Sequence, residues 1–432
     1  MTAEIAVINK SAVALAADSK VTLSRGGKQK TYDTVDKLFS ISKTEPVGAM
    51  IYGNAEFMRF PWETILKEYR RRDPRKKFDT VFLWAENLFE FLLGFFPFKE
   101  DDEDFAALSI VEAWLQHYWE TCARASQGPD QFKANYIAEI KAAISELKKL
   151  DDFLTDDEWT AFQKRLAPKL EAALKRGFLS QFGDIIEDLR TFAELTIRKA
   201  YPSPGSSGLV IAGFGEKELL PSLQAFRLDG ILCGRIKALE TDKFDATREN
   251  RGGVMPFAQT DMVDRFMQGI DPEYAIQLHE SIKGLLYSNA VDTALALGHS
   301  KEDVESKSEA FTTATQAAVD KFWESHQRIR RERFVSPIVD MAMSLPKDEL
   351  ANLAESLVSL TSLQRRVSRE LETVGGAIDV AVISKGDGFV WIKRKHYFKA
   401  DRNLRFVNSY FAEYGEGTNG GAIDEHAPAT AD

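Results

Sequence analysis

The sequence predicts an α+β fold in which strands at the beginning, middle and end of the chain enclose long helical stretches. Short apolar runs, alternating or continuous, predict strands over 3–17, 46–53, 208–229 and 376–394. Between these runs, apolar residues recur at intervals of three and four, which is typical of amphipathic helices. If all the strands share one core, the helices between them form a large insertion.

The first strands are predicted from "AEIAVINK" and "SAVALAA", with a turn at residues 9–11, and a third from "PVGAMIY", which ends at Gly53. The pattern is helical from Glu56 to about Ala200, and "YPSPGSSG" then interrupts it. Strands return in "GLVIAGFG" and "SLQAFRLDG". Helices follow from Asp271 and from Pro346, and "GGAIDVAVISKGDGFVWIKRK" predicts a hairpin.

This order of elements predicts a central domain interrupted by helical segments. A separate helical domain near 99–200 is the alternative organisation. The predicted parts are a core formed by 1–98, 206–294 and 346–400, a helical insertion over 99–205, a further helical segment over 295–345, and a disordered tail over 415–432.

Composition excludes several classes of function. The 432 residues carry a net charge of -10, which argues against a nucleic-acid surface because phosphate contacts need concentrated Lys and Arg. The most apolar stretch, 81–98, is interrupted by Glu86 and Glu90, so no membrane span is expected. The first residues do not resemble a signal peptide, and two cysteines indicate neither a disulfide framework nor zinc. We therefore expect a cytoplasmic protein without a metal or other cofactor.

The candidate nucleophile is Thr2. Removal of Met1 is favoured by a small second residue, and it would leave an α-amine on the same residue as a hydroxyl. An α-amine has a pKa of about 7.7–8.0, so it can accept the hydroxyl proton near neutral pH. This pairing of nucleophile and base within one residue is a known way to activate threonine.

Three further residues complete a candidate site. A lysine near the hydroxyl would favour the alkoxide and keep the amine neutral, and Lys37 is the candidate. Asp18, which ends the second predicted strand, can hold that lysine. Gly53, at the end of the third, can present its backbone N–H to an oxyanion.

The segments "TAEIAVINKSAVALAADSKVT", "TVDKL" and "GAMIYGNAEF" resemble the N-terminal part of proteasome β-type subunits and related bacterial ring proteases, which are N-terminal nucleophile (Ntn) hydrolases. The resemblance covers about half of the chain. It implies a four-layer αββα sandwich with a large helical insertion, and it assigns nucleophile, acid, lysine and oxyanion donor to Thr2, Asp18, Lys37 and Gly53. It also implies peptide or unfolded protein as substrate, a homo-oligomeric ring and an unfoldase as a further partner.

The same resemblance implies an apolar substrate pocket lined by Val21, Val35 and Ala55. A Ser-Gly pair usually lies near the nucleophile in that family, and its nearest counterpart here is Gly252-Gly253, without the serine. Glu372 and Thr373 are the candidates for orienting the α-amine.

Three functions remain open from the sequence. The first is a threonine peptidase that cleaves peptide bonds with Thr2. The second is an amidase of the same class that acts on a small molecule, and the third is a catalytically silent ring or scaffold subunit. The substrate and the ring size do not follow from the sequence.

Overall fold

The fold is described from a computed structural model of the chain. It describes residues 2–25, 28–95, 99–368, 374–396, 398 and 402–403, and for 22–25 and 28–29 it describes the backbone alone. Contacts group residues 1–393 into one compact unit and 394–432 into a second. The predicted tail, 415–432, lies outside the described residues. The division of 1–393 into a core and insertions stays a prediction.

The strands pair in antiparallel ladders throughout the described residues. The ends of the sequence-predicted strands agree with the observed ones to within a few residues. The strands are β1 (Ala3–Asn9), β2 (Ala12–Asp18), β3 (Val21–Arg25), β4 (Lys28–Tyr32), β5 (Leu38–Ser40), β6 (Val47–Gly53), β7 (Glu56–Phe57), β8 (Phe60–Pro61), β9 (Ser207–Gly213), β10 (Ser222–Leu232), β11 (Arg235–Asp245), β12 (Gly252–Ala258), β13 (Ile378–Ser384) and β14 (Gly388–Lys393).

Long helices fill the intervals between the strands. A 3₁₀ segment precedes α6, and a short π-helical turn joins α10 to α11. The helices are α1 (Trp62–Arg72), α2 (Val81–Phe95), α3 (Glu100–Ala125), α4 (Pro129–Leu147), α5 (Asp156–Leu174), α6 (Ile186–Arg198), α7 (Asp261–Gln268), α8 (Pro272–Ala296), α9 (Lys301–Ser306), α10 (Ser308–Arg330), α11 (Ser336–Ala342) and α12 (Lys347–Val367).

Two five-stranded sheets contain ten of these strands. The first sheet has the order β12-β1-β2-β13-β14, and the second has the order β11-β10-β9-β6-β5. Antiparallel sheets together with separate helical stretches confirm the predicted α+β class. In the part of the chain that the structure describes, no helix has both the length and the hydrophobicity needed to cross a membrane.

Strand β1 is buried on both of its faces, which explains its almost continuous apolar sequence. Ala3, Ile5 and Val7 belong to a cluster that includes residues of α7 and α12. Ala6 and Ile8 belong to a different cluster, which also contains residues of the second sheet. Since side chains two residues apart share a face, Thr2 and Glu4 have the same parity as Ala6 and Ile8.

The second sheet has its own helical cover. Residues of β6, β9 and β10 form a cluster with α1 and α2, in which Trp62 and Trp84 are fully buried. The opposite face contributes residues such as Met50 and Val210 to the cluster that contains Ala6 and Ile8.

Helices α3 to α6 pack around a separate apolar cluster that reaches the second sheet at Leu232. The acidic residues at 100–104 begin helix α3, where the helix dipole favours negative charge in the first turn. Asp104 is buried there, and its carboxylate binds Arg165 and Lys169 of α5.

Candidate active site

Thr2 lies immediately before β1, in line with the face of that strand that is directed at the second sheet. The residue is 4% exposed. Its carbonyl oxygen accepts a hydrogen bond of 3.2 Å from the backbone N–H of Gln259, which follows β12. Pairing with β12 on one side and β2 on the other therefore holds the beginning of β1 in place.

Asp18 ends β2 beside Thr2 and is fixed by the backbone around it. Its Oδ1 accepts the N–H of Ala3 at 3.1 Å, and its Oδ2 accepts the N–H groups of Gly375 at 2.9 Å and Lys20 at 3.3 Å. A carboxylate with three backbone donors has a defined orientation. Asp18 is therefore held in place at the strand end.

Lys37 directs its ammonium group into the same buried space. Its Nζ lies 2.5 Å from Asp18 Oδ1 and 3.2 Å from Glu4 Oε1, and its side chain is 6% exposed. The Lys37 carbonyl accepts the N–H of Ile51 at 2.9 Å, which fixes its backbone against β6. The structure therefore brings Lys37 into contact with Asp18 next to the start of β1, and the catalytic roles of Thr2, Asp18 and Lys37 stay predictions.

The group that contacts the Thr2 hydroxyl was not predicted from the sequence. Thr2 Oγ1 donates a buried hydrogen bond of 3.0 Å to Glu4 Oε2. Glu4 is fully buried, and its carboxylate lies between the threonine hydroxyl and the Lys37 ammonium. An ionisable residue at the second position of an otherwise apolar strand, two residues after the candidate nucleophile, was the sequence signal that could have indicated it.

The environment of Glu4 makes its ionisation costly. Burial raises the pKa of Glu4 from 4.5 to about 7, Lys37 opposes this rise, and the negative charge of Asp18 adds to it. The hydrogen bond from Thr2 lowers the pKa of the same carboxyl group. Glu4 therefore changes its charge near neutral pH, where a proton acceptor is most effective.

Gly53 ends β6, and its φ of +73° lies in the left-handed region. Ile51 of the same strand donates its N–H to the Lys37 carbonyl. Gly53 lies two residues beyond Ile51, which is about 7 Å further along the strand. A Cβ at this position would be 2.9 Å from the Ser206 carbonyl oxygen. The backbone alone therefore requires glycine here, and a role for its N–H as an oxyanion donor stays a prediction.

The three residues of the predicted substrate pocket are all partly exposed. Val21 begins β3, and the Val35 N–H donates to the Ser19 carbonyl at 3.2 Å. Ala55 lies between Asn54 and Glu56, which line a cavity of about 250 Å³ whose opposite wall includes residues of α3. Their role in binding substrate stays a prediction.

The assignment of Gly252-Gly253 to the surroundings of Thr2 is wrong. These glycines begin β12 and pair with Asn9 and Ile8, at the end of β1 that is far from Thr2. The residues beside Thr2 lie at the other end of β12, where Ala258 has a φ of +62° and Gln259 binds the Thr2 carbonyl.

Gln259 is itself positioned by helix α12. Its side-chain oxygen accepts a hydrogen bond of 2.7 Å from Arg365 Nε, and the guanidinium group also contacts Asp261. The strand register, and not the glycine pair, therefore decides which residues surround Thr2.

Glu372 and Thr373, the predicted amine-orienting residues, lie outside the described residues, as does Met1. Gly375, which donates its N–H to Asp18, is the nearest described part of that segment to make a contact with the site. Among the described residues, no group of three or more His, Cys, Asp and Glu is arranged to hold a metal ion.

Comparison with known proteins gives matches among solved structures alone. No family model matches the chain, and no curated protein matches it. Anbu (ancestral beta-subunit) from Yersinia bercovieri is 9% identical, with a TM-score of 0.30 and coverage of 98% of this chain and 100% of that chain. Anbu and an Anbu (Gly-1) mutant from Hyphomicrobium sp. strain MC1 are 11% and 10% identical, each with a TM-score of 0.27. Their alignments cover 96% and 98% of this chain, and 98% and 100% of theirs.

These matches correct the family assignment made from the N-terminal motifs. The solved structures that are similar to this chain carry the name Anbu, which is printed as ancestral beta-subunit for the Yersinia bercovieri protein. Identities of 9–11% and TM-scores of 0.27–0.30 do not support membership of the chain in that family. The assignment is therefore wrong as stated, and the function has to be argued from the contacts around Thr2.

Proposed function

We propose that the chain is a threonine peptidase, a hydrolase of amide bonds whose nucleophile is the Thr2 hydroxyl after removal of Met1. The observation that carries the proposal is the buried network in which the hydroxyl contacts Glu4 and, through it, the Lys37–Asp18 ion pair. Burial of three ionisable side chains costs folding free energy. An adjacent base and a nearby positive charge are, however, what activates a hydroxyl nucleophile.

The proposed reaction proceeds through an ester. A neighbouring base accepts the proton of Thr2 Oγ1 as this oxygen attacks the carbonyl carbon, so that a C–O bond forms and the π electrons of the carbonyl move to its oxygen. When this oxyanion collapses, the C–N bond breaks and the amine leaves with the proton that the base returns. Water then hydrolyses the ester, which releases the acid and restores the hydroxyl group.

The neighbouring residues have separate roles in this proposal. The positive charge of Lys37 stabilises negative charge that develops near Thr2, and Asp18 holds Lys37 in place. The Gly53 N–H is the proposed oxyanion donor, and Val21, Val35 and Ala55 are the proposed contacts for a substrate side chain. Peptides or unfolded protein are the proposed substrates.

The proposed architecture for this chemistry is a four-layer αββα arrangement. Three apolar clusters support it: one includes the first sheet and α12, one includes residues of both sheets, and one includes the second sheet with α1 and α2. In such an arrangement the Thr2 network lies at one end of the space between the sheets.

A peptide hydrolysis assay with matched variants tests the proposal. Purified protein is incubated with a mixture of fluorogenic peptides, and hydrolysis is compared among wild type, Thr2→Ala and Thr31→Ala, whose threonine is exposed on β4. We expect Thr2→Ala to remove hydrolysis without unfolding the protein, and Thr31→Ala to retain it. Hydrolysis that persists in Thr2→Ala would place the nucleophile elsewhere, and its absence from wild type would favour a silent subunit.

A further inference from the structure

The Thr2 hydroxyl has a closer proton acceptor than the α-amine that the sequence suggested. Glu4 Oε2 accepts the hydrogen bond of Thr2 Oγ1 at 3.0 Å, within the distance of direct proton transfer. We infer that the Glu4 carboxylate accepts the hydroxyl proton and is a catalytic residue of this site. The inference rests on the proposed function, because it concerns the same nucleophile.

The backbone holds Glu4 in this position. Glu4 pairs with Ala17 of β2 and with Phe257 of β12, so strands on both sides fix its Cα. Since residues i and i+2 of a strand share a face, Glu4 lies beside Thr2 without any loop that has to close. The acceptor is therefore preorganised on the same strand as the nucleophile.

The single positive charge of Lys37 is already balanced by the carboxylate of Asp18. Asp18 already lies 2.5 Å from the Lys37 ammonium and accepts three backbone N–H groups. Glu4 adds a second acid to this pair, and its Oε1 approaches the same ammonium at 3.2 Å. Two carboxylates therefore share one cation, which leaves Glu4 as the acid with fewer stabilising contacts.

The groups around Glu4 come from three other strands and from the loop before β5. Lys37 precedes β5, Asp18 ends β2, and Tyr52 of β6 has its pKa raised by burial and, to a smaller extent, by the charge of Glu4. Phe257 of β12 is directly opposite Glu4 in the ladder and contacts the Tyr52 ring, with 5.5 Å between ring centroids. Burial raises the pKa of Glu4 to about 7, so both of its charge states are populated at neutral pH.

The proton movements balance in this scheme. The Thr2 Oγ–H bond breaks and its proton binds Glu4 Oε2, while Oγ1 forms the C–O bond to the substrate. Glu4 then returns the proton to the leaving nitrogen as the C–N bond breaks. In the second half, Glu4 accepts a proton from the attacking water and returns it to Thr2 Oγ1.

The test measures the rate at which a β-lactone probe acylates Thr2 between pH 5 and pH 9. For wild type we expect the rate to rise with pH through about 7, because the ionised carboxylate is the acceptor. Glu4→Gln keeps the size and a hydrogen-bonding oxygen but cannot accept the proton. It should slow acylation by about 10²–10⁴-fold and remove the rise near pH 7. Glu249→Gln, on an exposed loop, is the matched control.

A ¹³C NMR titration of glutamate carboxyl groups supplies a measurement that does not depend on activity. The signal lost in Glu4→Gln should titrate near pH 7 in wild type, and at a higher pH in Thr2→Ala, because the hydrogen bond from Thr2 lowers the Glu4 pKa. A Glu4 signal that is already fully charged at pH 5 would overturn the inference.

The outcomes also separate the inference from the proposed function. If Glu4→Gln is acylated at Thr2 as fast as wild type and with the same rise, the α-amine is the base and the inference alone fails. If wild type is not acylated at Thr2 at all, the proposed function fails and the inference fails with it.

Discussion

The ionisation of Glu4 predicts a dependence of stability on pH that Glu4→Gln should remove. The pKa of Glu4 is about 7 in the folded protein, compared with 4.5 for an unperturbed glutamate. At about 1.4 kcal/mol per pKa unit, this difference corresponds to about 3 kcal/mol. Glu4 is fully buried, so solvent screening does not reduce this effect.

The sign follows from which state holds the proton. Between pH 4.5 and 7 the folded protein keeps the Glu4 proton while the unfolded chain loses it, so the free energy of unfolding falls as the pH rises. The destabilisation is absent below pH 4.5 and complete above pH 7. Because the unfolded chain is already partly ionised at pH 5, about 2–3 kcal/mol of the effect falls between pH 5 and pH 8.

Urea unfolding, followed by tryptophan fluorescence, measures the free energy of unfolding of wild type and Glu4→Gln at pH 5 and at pH 8. The free energy of unfolding of Glu4→Gln minus that of wild type should increase by about 2–3 kcal/mol from pH 5 to pH 8, with unchanged m-values. Glu249→Gln should show no such increase. A Glu4→Gln difference that is equal at the two pH values, or that decreases, would refute the assigned environment of Glu4.

Three further predictions concern the cation, the strand end and assembly. Lys37→Met removes the cation that lowers the Glu4 pKa, so the Glu4 carboxyl signal should titrate at higher pH, and an unshifted titration would contradict the ion pair. Gly53→Ala should lower the free energy of unfolding by about 1–2 kcal/mol because φ is +73°, and an unchanged urea midpoint would contradict this. Light scattering at micromolar concentration should show a homo-oligomer, because α8 exposes large apolar side chains, among them Ile276 and Leu285, which is 69% exposed; a monomer would contradict it.

Local sequence was sufficient to predict the part of the site that depends on strand ends. Thr2 precedes the first apolar run, and Asp18 ends the second, so an antiparallel hairpin brings the two together. Lys37 was predicted from the chemistry that a threonine nucleophile needs and from the family resemblance, and its ammonium group does contact Asp18. Thr2 and Asp18 meet because a short turn joins their strands, whereas Lys37 lies 19 residues beyond Asp18 and next to a strand of the second sheet.

The rest of the site depends on long-range pairing, which the sequence does not specify. Gly252-Gly253 was placed near Thr2 as the nearest counterpart of the family's Ser-Gly pair, but the register of β12 against β1 puts it at the opposite end. The same register brings Gln259 to Thr2. Glu4 was overlooked because it lies in a strand that was interpreted as apolar. The two-residue alternation of a strand nevertheless puts Glu4 on the same face as Thr2.

The site of covalent modification tests the central claim most directly. The protein is treated with a β-lactone probe at pH 8, and tandem mass spectrometry identifies the first residue of the chain and the modified atom. We predict a chain that begins with Thr2 and carries one ester on the Thr2 hydroxyl, with no adduct in Thr2→Ala. A reactive chain that retains Met1, or an adduct on any other residue, would contradict the assignment of Thr2 as the nucleophile.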